Sequence, residues 1–372
     1  LYDIARVCDT LEHIHFFQRS IVCRDLEDVR EMDITTCYAS VAGTKKHVGT
    51  SFSFPENVDE ALQMLHLIAG SEKAWRERPF VSMSVCHVIP PLKFAEDASA
   101  CLEAGVKGGM PVLLLSAGQA GATSPATLAR CVVQSVAEVI AGLVYVNAIQ
   151  EGAPAIFGAW PFVSDLRTGA MSGGSGEQAV LMAACGQMSQ FYNLPSGIAA
   201  GMTDSKIPDA QSGYEKGYPV ALAGHSGANL IYESAGMHAS LLGCCLESYV
   251  IDNDMLGAIN RTVRGIEVNA ETLSLDPIRD VCLDGPGHYL GHEQTLNRMQ
   301  SDYLYPIVGD RENINNWIEQ GSTDSIQRAH LKLKEILKTH FPNNWDEDTD
   351  SKIREQFPIR LPRNRMQPLD IS

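Results

Sequence analysis

The chain has 372 residues, 45% of them apolar and 20% charged, with a formal net charge of −16. That length supports a large buried core and fits a barrel of about 250 residues with appended helices. The acidic balance and the lack of a Lys/Arg-rich run exclude a phosphate-tracking nucleic-acid surface.

Ten scattered cysteines form no CxxC pair, which points to buried thiols in a reducing cytoplasm. No stretch of about 18 uninterrupted apolar residues and no signal peptide occur, so no membrane partner is expected. The opening LYDIARVCDT already reads as helix, and the natural chain is expected to start further upstream.

Short apolar, β-branched or aromatic runs alternate with longer helical patterns, the signature of a parallel α/β fold. The expected strands, in order, are Arg19–Cys23, His47–Phe54, Phe80–Ile89, Pro111–Ser116, Ala155–Pro161, Gly197–Gly201 and Ala228–Tyr232. Helices are expected at Val58–Ala69, Ala95–Ala104, Pro125–Ile149, Gln178–Tyr192 and Ala210–Leu222. Seven strands suit an eight-stranded barrel with one strand unrecognised. Beyond about Ser248 the chain turns helical and more polar, with helices at Asp276–Asp284, Tyr289–Ser301 and Asp324–His340. The expected division is a barrel over 1–246, packing helices over 247–342 and a surface tail over 343–372.

The loops after the expected strands are rich in small and polar residues: SAGQAG from Ser116, SDLRTG from Ser164 and GMTDSK from Gly201. Barrel enzymes build their sites on those loops, and glycine there admits a planar ligand close to the backbone. Gly118, Asp165, Asp204 and His225 are accordingly expected around one mouth. Rings are available as well. Phe52 and Phe54 alternate at the end of the second strand, Phe157 and Trp160 flank the fifth, and Tyr232 ends the seventh. A ring lining a mouth attracts a quaternary ammonium, although each could equally be core.

The common cofactor and hydrolase signatures are missing: no phosphate-binding P-loop, no strand-to-helix GxGxxG and no GxSxG elbow. His288 and His292 stand four apart, which on a helix would present both on one face. Two histidines fall short of the three ligands that a catalytic zinc requires. His225, in AGHSGA before the last strand, is open to a turn role, a hydrogen-bonding role in the core or a polar site role.

Four long blocks go further than any short motif: GAWPFVSDLRTGAMSGGSGEQ (Gly158–Gln178), AGMTDSKIPDAQSGYEK (Ala200–Lys216), YVIDNDMLGAINRTVRGIEV (Tyr249–Val268) and GPGHYLGHEQTLNRMQSDYLYP (Gly285–Pro306). Together they resemble the trimethylamine–corrinoid methyltransferase family, over nearly the whole chain from His13 onward.

The resemblance implies a TIM (β/α)8-type barrel that moves a methyl group from a methylated amine to cob(I)alamin carried by a separate corrinoid protein. No DxHxxG corrinoid-binding stretch occurs in this chain. The archaeal trimethylamine enzymes carry pyrrolysine. This chain is written in the ordinary twenty residues, as in the branch without pyrrolysine that acts on glycine betaine and related betaines.

A quaternary amine leaves as a neutral tertiary amine, so the reading needs no metal in this chain. It assigns the polar centre to His225, supported by Asp204 and Lys206, and a cation cage to Phe52, Phe54, Phe157, Trp160 and Tyr232. Corrinoid-facing loops fall at Gly118, Gly121, Asp165 and Gly201. Trimethylamine as the substrate, a zinc-dependent methyltransferase using His288 and His292, and a non-catalytic betaine- or corrinoid-binding barrel are the alternatives. Partners are limited to the corrinoid protein and the small amine, with room for a homo-oligomer.

Overall fold

A computed structural model describes residues 1–283 and 285–368. Asp284, where one expected helix ends, and 369–372 of the expected tail lie outside the described residues. The chain is mixed α/β. Seven short parallel strands carry the order: β1 (Phe16–Gln18), β2 (His47–Thr50), β3 (Val81–Val85), β4 (Val112–Ser116), β5 (Ala155–Ala159), β6 (Gly197–Ala199) and β7 (Leu230–Tyr232). The first five form one sheet in chain order, and β6 pairs with β7. A parallel bridge from Phe157 to Ser196 joins the two sets.

Helices make the crossovers that parallel pairing requires. They are α1 (Tyr2–Thr10), α2 (Val29–Gly43), α3 (Pro55–Ala69), α4 (Glu72–Glu77), α5 (Glu96–Lys107), α6 (Leu128–Ile149), α7 (Gly176–Phe191) and α8 (Ala210–His225). Their starts follow capping chemistry. Asp28, Ser175 and Asp209 each accept a backbone N–H of the first turn, and proline opens α3. The strands are apolar on both faces, as sheets covered by helices require; Val112, Leu113 and Leu114 are fully buried. Helix α6 is long and apolar enough to cross a membrane, with mean hydropathy 1.7. It lies along β4 and β5, between α5 and α7.

The two edges of this strand series approach each other. The Phe16 ring of β1 meets the Tyr232 ring of β7 edge-on, centroids 4.8 Å apart. No ladder pairs β1 with β7 among the described residues. Instead a cavity of about 390 Å³ runs along the seam, lined by Phe16, Gln18, Tyr232 and Glu233 and backed by Val220 of α8 and Ile259 of the next helix.

That next helix is α9 (Leu246–Arg264), followed by α10 (Asp276–Cys282), α11 (Glu293–Ser301), α12 (Ile314–Glu319), α13 (Ser325–Thr339) and α14 (Glu347–Gln356). Helix α13 packs on α9 and α1, and α14 on α3. Arg6 of α1 clamps this join. Its guanidinium donates to the carbonyls of His340 and Leu337 and lies 3.8 Å over the Phe341 ring.

Two expected elements need correction. The first strand is Phe16–Gln18, not Arg19–Cys23, because Phe16, Phe17 and Gln18 take the register opposite His47, Val48 and Gly49. The apolar run Ile21-Val22-Cys23 that follows is in no strand, and Val22 is exposed. The second strand stops at Thr50 rather than Phe54, since Phe54 already caps α3.

Candidate active site

All seven strands point the same way, so the residues just past their C-terminal ends gather on one side of the sheet. A cavity of about 400 Å³ opens there. Gln18 and Arg19 come from β1, Ser51 and Phe52 from β2, Ser84 and Cys86 from β3, Leu115 from β4, Trp160 from β5 and Glu233 from β7. The volume suits a small organic ligand.

Strand alternation decides which way the rings face. A side chain on Gly158 would strike Leu113 and Leu115, and Leu115 lines the cavity. Gly158 and Trp160 therefore face inward, while Phe157 and Ala159 face the helices. Trp160 is fixed by its indole N–H, which donates to the Gly197 carbonyl at 2.6 Å. Its ring lies 5.5 Å from Tyr232. Gly197 must lack a side chain, because a Cβ there would stand 2.6 Å from the Tyr232 ring.

The five rings expected as a cage are thus divided. Trp160 and Phe52 line the cavity, and Tyr232 lies below it on the seam. Phe157 is buried toward the helices, and Phe54 is 49% exposed on the outside. Phe52 and Phe54 do not share a face, because the strand that would have aligned them has ended.

Among the described residues, two charged ones line the cavity, Arg19 and Glu233. Glu233 follows β7 directly, in the left-handed region at φ +61°, a strained setting for a side chain of this kind. Its carboxylate accepts no hydrogen bond among the described residues. Burial without a compensating donor pushes its pKa from 4.5 up to about 7. Gly201 makes the close turn beside it. At φ +97° it tolerates no other residue easily, and a Cβ would lie 2.8 Å from Ser234 Cα.

Arg19 extends β1 by one backbone bond, its N–H donating to the Gly49 carbonyl at 2.9 Å. Its half-buried guanidinium has no hydrogen-bond partner among the described residues. Burial lowers its pKa against the opposing pull of Asp33 and Cys23. Asp33 does not pair with it. That carboxylate is occupied by Ser53 N–H at 2.7 Å, Ser53 Oγ at 3.1 Å and Asn57 Nδ2 at 2.8 Å. Beside them, Gln18 Oε1 is buried with no donor.

Asp204 stands on the loop after β6 and joins three loops. It accepts from Ser172 Oγ at 3.1 Å and Gly173 N–H at 2.9 Å, both from the loop after β5, and from Ser240 Oγ of the loop after β7. Glu215 of α8 secures the same loop, accepting from Thr203 Oγ1 at 2.7 Å and Asp204 N–H at 2.8 Å. Behind it a buried ion pair joins Lys216 to Asp252 at 2.6 Å. Asp252 also accepts from Gly236 N–H at 2.8 Å. Lys206 is exposed and donates to the Asp204 carbonyl. Its amine does not enter the cavity.

His225 is not at this mouth. It ends α8, the helix that carries the chain back to the start of β7, so it lies at the opposite end of the strands from Asp204. It is exposed and within 3.1 Å of Thr262 Oγ1. The expectation that His225 and Asp204 share one polar centre is corrected: helix α8 runs on through Ala223-Gly224-His225 instead of breaking at Leu222.

The glycines and Asp165 sit on outer loops. Gln119–Ala120 after Gly118 pairs with Phe162–Val163, raising the loops after β4 and β5 together. Gly121, at φ +83°, abuts the exposed Leu166. Asp165 organises its own turn, accepting from the Arg167 N–H and pairing with its guanidinium at 2.6 Å, which holds its pKa down to about 2.

His288 and His292 do not share a helix. His292 caps α11, accepting from Gln294 N–H at 3.1 Å, and His288 lies before it in an exposed loop. No group of three or more His, Cys, Asp or Glu converges as a metal site among the described residues.

Arg19 and Glu233 escaped the sequence reading. The available signal was a charged residue placed directly after an apolar strand, in FFQ-R and LIY-E, where strand ends face a barrel mouth.

A parallel α/β chain with a mixed polar and apolar cavity and two unpaired charges at its strand ends has the layout of a small-molecule enzyme. The family model for trimethylamine methyltransferase (MTTB) matches residues 1–361. The chain is 33% identical to trimethylamine methyltransferase MttB of Methanosarcina barkeri over 348 residues, 93% of this chain and 69% of that protein. It is 32% identical to the MttB of Desulfitobacterium hafniense over 355 residues, 95% and 70% of the two chains. A glycine betaine methyltransferase of Desulfitobacterium hafniense is 29% identical over 318 residues, 85% and 65%. This chain therefore belongs to the trimethylamine methyltransferase family.

Proposed function

We propose that the chain transfers a methyl group from a small quaternary amine, of the glycine betaine kind, to cob(I)alamin held by a separate corrinoid protein. The observation that carries this reading is the pairing of Trp160 with an unpartnered Glu233 in one cavity at the strand ends. An indole face attracts an ammonium, and a carboxylate in a dry setting attracts it further.

A cavity of about 400 Å³ is too small for the much larger corrinoid, which would approach over the outer loops near Gly118, Gly121, Asp165 and Gly201. When docked it supplies the electron pair that takes the methyl. The electrons of the broken N–CH3 bond stay on nitrogen, which leaves as a neutral tertiary amine, and no proton need be removed. The chain's own part is to desolvate the cation, hold one N–CH3 bond toward the mouth and stabilise the ammonium until it is discharged.

The wider frame belongs to the same proposal. The curved series of seven strands is read as a (β/α)8-type barrel, with the seam between β1 and β7 as the place of an eighth. Residues 1–246 form that barrel and 247–342 pack on it; the expected surface tail is instead held to it over 343–368 by α14, whose Ile353 is buried. The absence of a pyrrolysine letter supports the betaine branch.

Trimethylamine is the second reading, favoured by the names of the MttB relatives. A panel of methylated amines, each mixed with the chain and free cob(I)alamin, separates the two by which compound discharges the Co(I) absorbance. Discharge with betaines supports the proposal. Discharge with trimethylamine alone moves the chain to the second reading, and discharge with none overturns both.

A further inference from the structure

The cavity holds one cation and one anion from the protein, and they do not pair. Arg19 and Glu233 both line it, yet no ion pair within 4.0 Å joins them, and neither side chain has another hydrogen-bond partner among the described residues. Two half-buried charges left in this state are costly, and proteins ordinarily pair them. They enter the cavity from different strands, β1 and β7. Asp33, the carboxylate whose charge acts on Arg19, already accepts from Ser53 and Asn57.

A guanidinium in this position presents a fork of donors matched to a carboxylate. Trp160 and Glu233 offer the complementary surface for an alkylated ammonium. Gln18, which also lines the cavity, has its Oε1 without a donor among the described residues and against Gly49, where any side chain would collide with it.

We infer that Arg19 binds the carboxylate of the substrate while Glu233 and Trp160 face its ammonium, so that the site selects zwitterionic betaines over carboxylate-free amines. The inference rests on the methyl-transfer reading above and adds a residue that sets specificity. A zwitterion spanning the cavity would neutralise both charges at once, whereas choline or tetramethylammonium would leave Arg19 unpaired.

The test compares glycine betaine, choline and tetramethylammonium by calorimetric titration of the full chain and of Arg19→Met, Arg19→Lys and Glu233→Gln. For Arg19→Met the expected result is a loss of about 10- to 100-fold in glycine betaine affinity, the range for a charged hydrogen-bonded contact. Choline and tetramethylammonium should bind no more weakly, because the charge removed repels theirs, and their retained binding shows that the variant is folded. Arg19→Lys should recover part of the betaine affinity, and Glu233→Gln should weaken all three ligands. Equal losses for betaine and choline in Arg19→Met, or no loss in either, overturn the inference. If Arg19→Met fails to fold, Arg19→Lys with unchanged betaine affinity overturns it as well. Wild-type chain that binds choline and tetramethylammonium but not betaine sinks the anchor and the betaine substrate, and leaves methyl transfer from a carboxylate-free amine standing. Wild-type chain that binds no methylated ammonium compound sinks both.

Discussion

Glu233 is the residue on which the site's electrostatics turn. Its carboxyl titrates near 7 because the fold surrounds it without a donor, against 4.5 for an ordinary glutamate. The protonated form is favoured in the folded chain, so Glu233 supports stability below pH 4.5 and loses that support as pH rises through about 7. Glu233→Gln should therefore gain stability over wild type across that interval, read as the difference in urea midpoint at pH 4.5 and pH 8. A constant difference would mean that the carboxyl is solvated. Cation binding should run the other way. Tetramethylammonium affinity should rise through pH 7 in wild type and stay flat in Glu233→Gln. Trp160 makes the second contribution. Trp160→Leu should cost on the order of 1–2 kcal/mol of ammonium binding, measured per folded molecule because the lost Gly197 hydrogen bond also weakens the fold. Unchanged affinity would move the cation to another wall.

At the scale of elements, the loops matter more than the strands that carry them. Asp204 joins the loops after β5, β6 and β7 through three donors. Asp204→Ala strands those donors, and on the order of 3 kcal/mol of stability should be lost in chemical denaturation. A loss below about 0.5 kcal/mol would show that the loops hold without it. His225→Ala, at the far end of α8, should change stability by no more than about 0.5 kcal/mol and leave ammonium binding intact; a large loss of binding would return it to the site. The sequence made the strands legible because runs such as PVLLLS and APAIFGA are apolar on both faces. It misplaced β1 by three residues, since nothing local distinguishes HFFQ from the equally apolar stretch after it; only pairing with β2 decides. His225 looked like a turn residue because Gly224 precedes it, yet tertiary packing carries the helix through that glycine. Arg19 and Glu233 were invisible for a different reason. A single charge has no motif, and its meaning comes from the cavity that two distant strands close around it.

At the scale of the whole molecule, a parallel α/β frame, a strand-end cavity and family membership support the proposed methyl transfer, in which this chain would hold only the amine. The direct measurement uses glycine betaine labelled with carbon-13 on its methyl groups, incubated with the full chain and free cob(I)alamin and followed by NMR. The account predicts that each turnover converts one labelled betaine to dimethylglycine and places one labelled methyl on cobalt. Betaine that binds in the cavity while every label stays on nitrogen would contradict it.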